Sequence, residues 1–194
     1  MIDLLLDTAP RWALLHAPAL LIMVPLFLAP LLAILPSGRL SWLISIAATV
    51  FSLFCALILV GQVQASPVGV VGYDVGNWPM PIGITLRVDA LNSMILLLVA
   101  AIGVLSTIFS WPTVKAEIPE RKPPLFYSAF LVCFAGLSGV AITGDAFNLF
   151  VFLEISSLAS YALIALGGGA AVVSAFRYLI LGTVGAAFYL LAVG

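Results

Sequence analysis

Six runs of apolar residues, each about 20 residues long, constrain this chain because a helix of that length crosses a bilayer. The runs cover residues 14–35, 40–61, 90–111, 125–142, 146–166 and 175–194. Of the 194 residues, 64% are hydrophobic and 8% are charged, which is more apolar surface than a soluble domain of this size can bury. We therefore predict an all-α transmembrane protein with about six membrane-spanning helices.

The runs divide the chain into three parts. Residues 1–111 carry three leading helices, residues 112–124 form a charged loop, and residues 125–194 carry three more helices. Within the first part, Gln62–Val88 contains short β-branched runs separated by glycine and proline, which predicts a small hairpin on the membrane face. This hairpin would either contact a neighbouring protein or cover the helix ends.

Local signals mark how the helices begin and pack. Asp89 and Asp145 stand directly before two of the apolar runs, where a side-chain oxygen caps the helix start. The first run holds three prolines, whose freed carbonyls must be satisfied by neighbouring groups: Pro18, Pro25 and Pro30. The fourth run holds small residues that permit close helix contact: Gly136, Ser138 and Gly139.

The basic residues predict the orientation of the helices. With six spans, five of the seven fall on one side of the membrane: Arg39, Lys115, Arg121, Lys122 and Arg177. Arg11 and Arg87 fall on the other side. Because cytoplasmic loops are enriched in lysine and arginine, the count places the 112–124 loop in the cytoplasm, with the N-terminus and the hairpin outside.

Composition and motifs exclude several function classes. A net charge of −1 offers no basic patch for nucleic acid. The single histidine, His16, and the two separated cysteines, Cys55 and Cys133, do not build a metal site, and both cysteines are expected to be free thiols. We find no nucleotide-binding glycine pattern, heme pair or nucleophile–base set. The sequence therefore predicts no catalytic centre and no cofactor, and leaves open whether the chain belongs to an enzyme complex.

Glu154 is the residue with the strongest functional signal. It lies near the middle of the 146–166 run, at a depth where bulk water cannot solvate a carboxylate. At about 100° per residue, Ser157 and Tyr161 share its helix face, with Phe147 and Phe150, so two hydroxyls could hold water or relay a proton. The alternative is a protonated or hydrogen-bonded acid that only holds helices together. Arg177, near the start of the next helix, is either a partner in ion movement or an interfacial anchor.

The stretch GDAFNLFVFLEISSLASYALIALG resembles the fifth-helix signature of the antiporter-like subunits of Mrp-type cation/proton antiporters, membrane-bound hydrogenases and respiratory complex I. The match is closest to the D subunit of the Mrp-type antiporters. The segments GNWPMPIGITLRVDALNSMILLL and FRYLILGTVGAAFYLLAVG also resemble this family, although Arg177 stands where the sixth helix usually has lysine. The resemblance extends from about Pro18 to Gly194.

The resemblance implies that Glu154 is the family's essential glutamate, which pairs with a lysine on a seventh helix. The family has about fourteen helices, with two inverted five-helix repeats after the first three. The chain would then hold the three leading helices and the start of the first repeat. It would be either an N-terminal fragment or one half of a naturally split protein. The family's orientation, with the N-terminus outside, agrees with the charge count.

Three functions follow as alternatives. The first is part of a multi-subunit Na⁺/H⁺ or other monovalent cation/proton antiporter in a prokaryotic plasma membrane. Its partners would be the bilayer, other membrane subunits, protons and Na⁺ or K⁺. The second is a proton-pumping subunit of a complex I-like NADH-quinone oxidoreductase or a membrane-bound hydrogenase. The third is a structural membrane module.

Overall fold

The computed structural model describes residue 6 and residues 9–78, 82–118 and 122–193. It contains six long helices: α1 Arg11–Ile34, α2 Gly38–Ala65, α3 Ala90–Glu117, α4 Pro123–Ile142, α5 Ala146–Ala165 and α6 Ala170–Val193. Each is long and apolar enough to cross a membrane, so the chain is an integral multi-pass membrane protein and the predicted all-α class is confirmed. Arg121, which entered the charge count, lies outside the described residues, as do Pro79, Pro81 and Gly194.

Two of the prolines in α1 are accommodated by side chains of α2. Pro18 leaves the carbonyl of Leu14 without its helical donor, and Gln62 Nε2 donates to that carbonyl at 2.7 Å. Pro25 does the same to the carbonyl of Leu21, which accepts from Ser52 Oγ at 3.2 Å. The expectation that neighbouring groups satisfy these carbonyls is therefore confirmed for Pro18 and Pro25, and the two bonds fix how α2 lies against α1.

Helix α3 continues through Pro112 to Glu117, further than the apolar run of the sequence indicated. Just before this proline, the carbonyl of Thr107 accepts from Trp42 Nε1 of α2 and from Ser110 Oγ, both at 2.8 Å. The ring of Trp42 also lies against Trp111, with centroids 5.6 Å apart. One side chain of another helix, Trp42, thus holds α3 at the residue before Ile108, whose carbonyl loses its helical donor to Pro112.

Helix α4 lies at the centre of the bundle. It packs against α1, α5, α3 and α2, and ten of its residues are buried, with Tyr127 and Leu131 completely so. Helix α6 lies at the periphery and packs along α5, and Ala175 is its only buried residue among those described. Its other faces expose large apolar side chains, among them Phe176, Leu181, Phe188 and Leu191.

A two-stranded hairpin covers one end of the bundle. Strand β1, Val71–Asp74, pairs antiparallel with β2, Thr85–Val88, which confirms the expected hairpin. Leu86 and Val88 of β2 are buried in the core formed with the helices, and the backbone N–H of Gly144, in the α4–α5 turn, donates to the carbonyl of Thr85 at 3.1 Å. The hairpin therefore shares one side of the molecule with the α4–α5 turn and covers helix ends there.

Candidate functional site

The start of α5 is fixed by polar side chains in the turn after α4. Asp145 Oδ2 accepts the backbone N–H of Asn148 at 2.8 Å, so the predicted N-cap is confirmed, as is the one at Asp89. The side-chain amide of Asn148 is buried and donates to Thr143 Oγ1 at 3.0 Å. Because this end of α5 is fixed, the regular turn of the helix determines toward which neighbour each later residue points.

One face of α5 packs closely on α4. Gly136 lies against the backbone of Ser156, where an added Cβ would come within 2.7 Å of the Ser156 nitrogen, and Gly139 lies against the ring of Phe152. Ser160 Oγ on the same face is 3.3 Å from Cys133 Sγ. The close contact predicted from these glycines is confirmed, and it turns the opposite face of α5 away from α4.

That opposite face carries Glu154 and contacts α6 through aromatic rings. Phe150 stacks on Tyr189, with centroids 6.1 Å apart and planes at 14°. Tyr161 meets Tyr178 edge to face at 4.9 Å, and its hydroxyl contacts Gly182. Since residues 150, 154, 157 and 161 fall within about 60° of one another on a helix, Glu154 and Ser157 lie between the two aromatic contacts.

The predicted residues differ in their surroundings. Glu154 and Ser157 are half-buried, and Tyr161 is buried. Glu154 is the ninth of the 20 residues of α5, about 12 Å from the helix start. Among the described residues, no hydrogen bond reaches the Glu154 carboxylate, whereas the nearby Ser156 and Ser160 hydroxyls donate to carbonyls of their own helix.

The structure does not bring Arg177 to Glu154. The two aromatic contacts set an antiparallel register in which Glu154 lies level with Gly185 and Arg177 lies level with Ala162. The two charged groups are therefore separated by about 12 Å along the helix axis. Arg177 is also exposed, on a face of α6 that does not meet α5.

Sequence reasoning missed the residues of α6 that pack on α5. The stripe Ala175, Leu179, Gly182, Ala186 and Tyr189 repeats every three or four residues, which is the spacing of one helix face. This signal could have marked the α5-facing side of α6. It could not have shown that Tyr178 and Tyr189 meet rings of α5, because that depends on the register of the two helices.

Chemically, the site is a half-buried carboxylate with a neighbouring hydroxyl, facing a helix that offers glycine at the same depth. Such a group can exchange a proton with water or bind a cation, because no positive side chain of the described residues neutralises it. The described residues contain no group of histidine, cysteine, aspartate or glutamate side chains that could hold a metal ion.

Two relatives match about nine-tenths of this chain in sequence. The chain is 42% identical over 186 residues to the N subunit of NADH-quinone oxidoreductase from Desulforudis audaxviator, a match that covers 92% of this chain and 36% of that protein. It is 33% identical over 175 residues to the D subunit of the Na⁺/H⁺ antiporter from Bacillus subtilis, which covers 89% of this chain and 34% of the relative. No family model matches the chain.

The structure resembles a chain of the membrane-bound sulfane sulfur reductase, an archaeal respiratory membrane complex. The TM-score is 0.81 at 29% identity, and the match covers 91% of this chain and 36% of that one. The chain thus spans about a third of the length of the proteins it matches. With six membrane helices in the same arrangement, it belongs to the antiporter-like membrane subunits that include the N subunit of NADH-quinone oxidoreductase and the D subunit of Na⁺/H⁺ antiporters.

Proposed function

We propose that this chain is part of a membrane subunit that moves protons or monovalent cations, Na⁺ or K⁺, within a multi-subunit cation/proton antiporter. The observation that carries the proposal is Glu154, a half-buried carboxylate near the middle of a membrane helix that no cation of the described residues neutralises. Keeping an acid at that depth costs stability, which favours a role in ion movement over a purely structural one. The similarity to the D subunit of a Na⁺/H⁺ antiporter supports the same class of function.

Ser157, Tyr161 and Arg177 have supporting roles in this proposal. Ser157 lies one turn from Glu154 and Tyr161 two turns away, so their hydroxyls could pass a proton along α5 through intervening water. Arg177 is exposed and about 12 Å from Glu154 along the axis, so its proposed role is that of an interfacial anchor.

The test is cation-driven proton exchange in inverted membrane vesicles that contain the complete protein and its partner subunits. We expect Glu154→Gln to lower the exchange rate about a hundredfold or more, because glutamine keeps the shape of the side chain but cannot carry a proton. Glu117→Gln is the matched control, since it removes an exposed carboxylate at the end of α3. Exchange that survives Glu154→Gln at the control rate would contradict the proposal.

A second function is favoured by one observation, the 42% identity to the N subunit of NADH-quinone oxidoreductase. In that case partner subunits would drive proton pumping by electron transfer to quinone, and the same carboxylate would lie in the path. Proton pumping that requires quinone-linked electron transfer, with no cation exchange in its absence, would identify this second function. Cation-dependent exchange without electron transfer would identify the antiporter.

The proposal includes an orientation, with the N-terminus and the hairpin outside a prokaryotic plasma membrane and residues 112–124 in the cytoplasm. Single cysteines introduced at Val68, which is exposed beside the hairpin, and at Lys115, near the end of α3, test it. A membrane-impermeant maleimide should label Val68→Cys in intact cells and Lys115→Cys only in inverted vesicles. The reverse pattern would invert the orientation.

A further inference from the structure

Two aromatic contacts between α5 and α6 lie on either side of Glu154. Phe150 precedes Glu154 by four residues, about 6 Å along the axis, and stacks on Tyr189. Tyr161 follows Glu154 by seven residues, about 10 Å, and packs edge to face on Tyr178. The carboxylate is therefore enclosed along the helix direction by one ring pair toward the hairpin and another toward the opposite side.

Between the two ring pairs, the side of α6 that packs on α5 carries Leu179, next to the Tyr161–Tyr178 pair, and then the small residues Gly182 and Ala186. The antiparallel register places Gly185 opposite Glu154 and Gly182 opposite Ser157. Gly185 is exposed, and a Cβ added there would meet no atom of the described residues within 4 Å. At the depth of the carboxylate, α6 therefore offers small residues to α5, with an aromatic contact on either side along the helix direction.

Both ring pairs are held in place. The Tyr189 hydroxyl donates to the carbonyl of Ala146, in the first turn of α5, at 2.9 Å. Tyr161 is 8% exposed, and its hydroxyl lies so close to Gly182 that any larger residue there would collide with it. The faces of aromatic rings offer no strong hydrogen-bonding groups to a hydrated ion, so a ring pair between the helices hinders its passage.

We propose that these two ring pairs are the barriers that control access to Glu154 from the two sides of the membrane. The Phe150–Tyr189 pair closes the side toward the hairpin, and the Tyr161–Tyr178 pair closes the opposite side. Displacing one ring at a time would connect the carboxylate to one side while the other stays closed. The inference rests on the proposed function and adds the residues that set the direction of access.

The first test measures access directly. In the full-length protein within its complex, Glu154→Cys is combined with Cys133→Ala, and a membrane-impermeant methanethiosulfonate is applied to right-side-out and inverted vesicles. A parent without the new cysteine gives the background, including buried Cys55. We expect Phe150→Ala to raise the modification rate about tenfold from the hairpin side only, and Tyr161→Ala to do so from the opposite side only.

Matched variants distinguish the loss of a ring pair from a general weakening of the packing between α5 and α6. Tyr178→Phe keeps the ring and should leave the rate unchanged, whereas Tyr178→Ala should act like Tyr161→Ala. Phe147→Ala removes an exposed ring from the same face of α5, outside both pairs, and should have no effect. Tyr178 is 53% exposed, so its truncation tests the same pair even if Tyr161→Ala fails to assemble. Equal rate increases from both sides, or none with either truncation, would overturn the inference.

The second test links the barriers to transport. With Glu154 intact, Tyr178→Ala should produce a proton leak, and adding Glu154→Gln should abolish that leak. If Glu154→Gln alone leaves exchange intact, the proposed function fails whatever the rings do. If Glu154→Gln abolishes exchange but the ring truncations change neither access nor leak, the barrier inference fails and the proposed function stands.

Discussion

Helix α5 meets its two neighbours in different ways. Toward α4, Gly136 and Gly139 let the helices approach until Ser156 and Phe152 lie directly against the α4 backbone. Toward α6, the helices touch through two ring pairs, with glycine at the depth between them. The carboxylate of Glu154 lies on the second face, between the rings.

This difference indicates how a membrane protein can hold a carboxylate in a defined position, although burying it in the membrane costs free energy. Close backbone packing on α4 gives α5 a rigid support, since interiors packed at this density resist displacement. Toward α6, the backbone at the depth of the carboxylate is open at the exposed Gly185, where an added Cβ would meet no described atom within 4 Å. Rigidity and access are therefore supplied by opposite faces of one helix.

Identical glycine-to-alanine changes on the two faces give the largest contrast. Gly136→Ala would place a Cβ 2.7 Å from the Ser156 nitrogen, and a backbone atom cannot rotate away, so we expect about 1–3 kcal/mol of destabilisation. Thermal unfolding of the detergent-solubilised protein measures this loss.

Gly185→Ala is the matched control because the added Cβ meets nothing within 4 Å. Both changes share the gain in helix propensity of alanine over glycine, about 1 kcal/mol, so their difference isolates the contact. Equal melting temperatures for the two variants would show that the close approach of α4 and α5 at Gly136 does not limit the size of the residue there.

Gly182→Ala gives an intermediate effect because the new methyl group would collide with the far end of a side chain, the Tyr161 hydroxyl. The ring can tilt, so we expect a smaller loss than at Gly136. Tyr161→Phe removes the colliding oxygen, and the double variant should recover most of the stability, with a coupling energy of about 1 kcal/mol. A double-mutant cycle in thermal unfolding measures it, and additive effects would argue against the contact.

Much of this architecture could be predicted from local sequence. The six helices follow from apolar runs long enough to cross a bilayer, and Asp89 and Asp145 cap their helices through contacts three residues away. The helical period alone placed Phe150, Ser157 and Tyr161 on the face of Glu154.

What local sequence could not predict depends on contacts between distant residues. Helix α3 continues past Pro112. Close to this proline, the Thr107 carbonyl accepts a hydrogen bond from Trp42, which lies 65 residues earlier in the sequence. Likewise, the pairing of Tyr161 with Tyr178 follows from the register of α5 and α6, which no pattern within either helix specifies. The same holds for the separation of Arg177 from Glu154.

The smallest expected effect concerns the one polar side-chain contact between α4 and α5 among the described residues, Cys133 Sγ to Ser160 Oγ at 3.3 Å. A thiol is a weak hydrogen-bonding group, and Ser160 also donates to the carbonyl of Ser156, so Cys133→Ala should cost only about 0.5 kcal/mol. Cys133→Ser, which offers a stronger partner to Ser160, should lie within the same range in thermal unfolding. If Cys133→Ala were instead as destabilising as Gly136→Ala, polar contact rather than close backbone approach would hold α5 on α4. The rigid face would then depend on a single oxidisable side chain, and the contrast between the two faces of α5 would lose its structural basis.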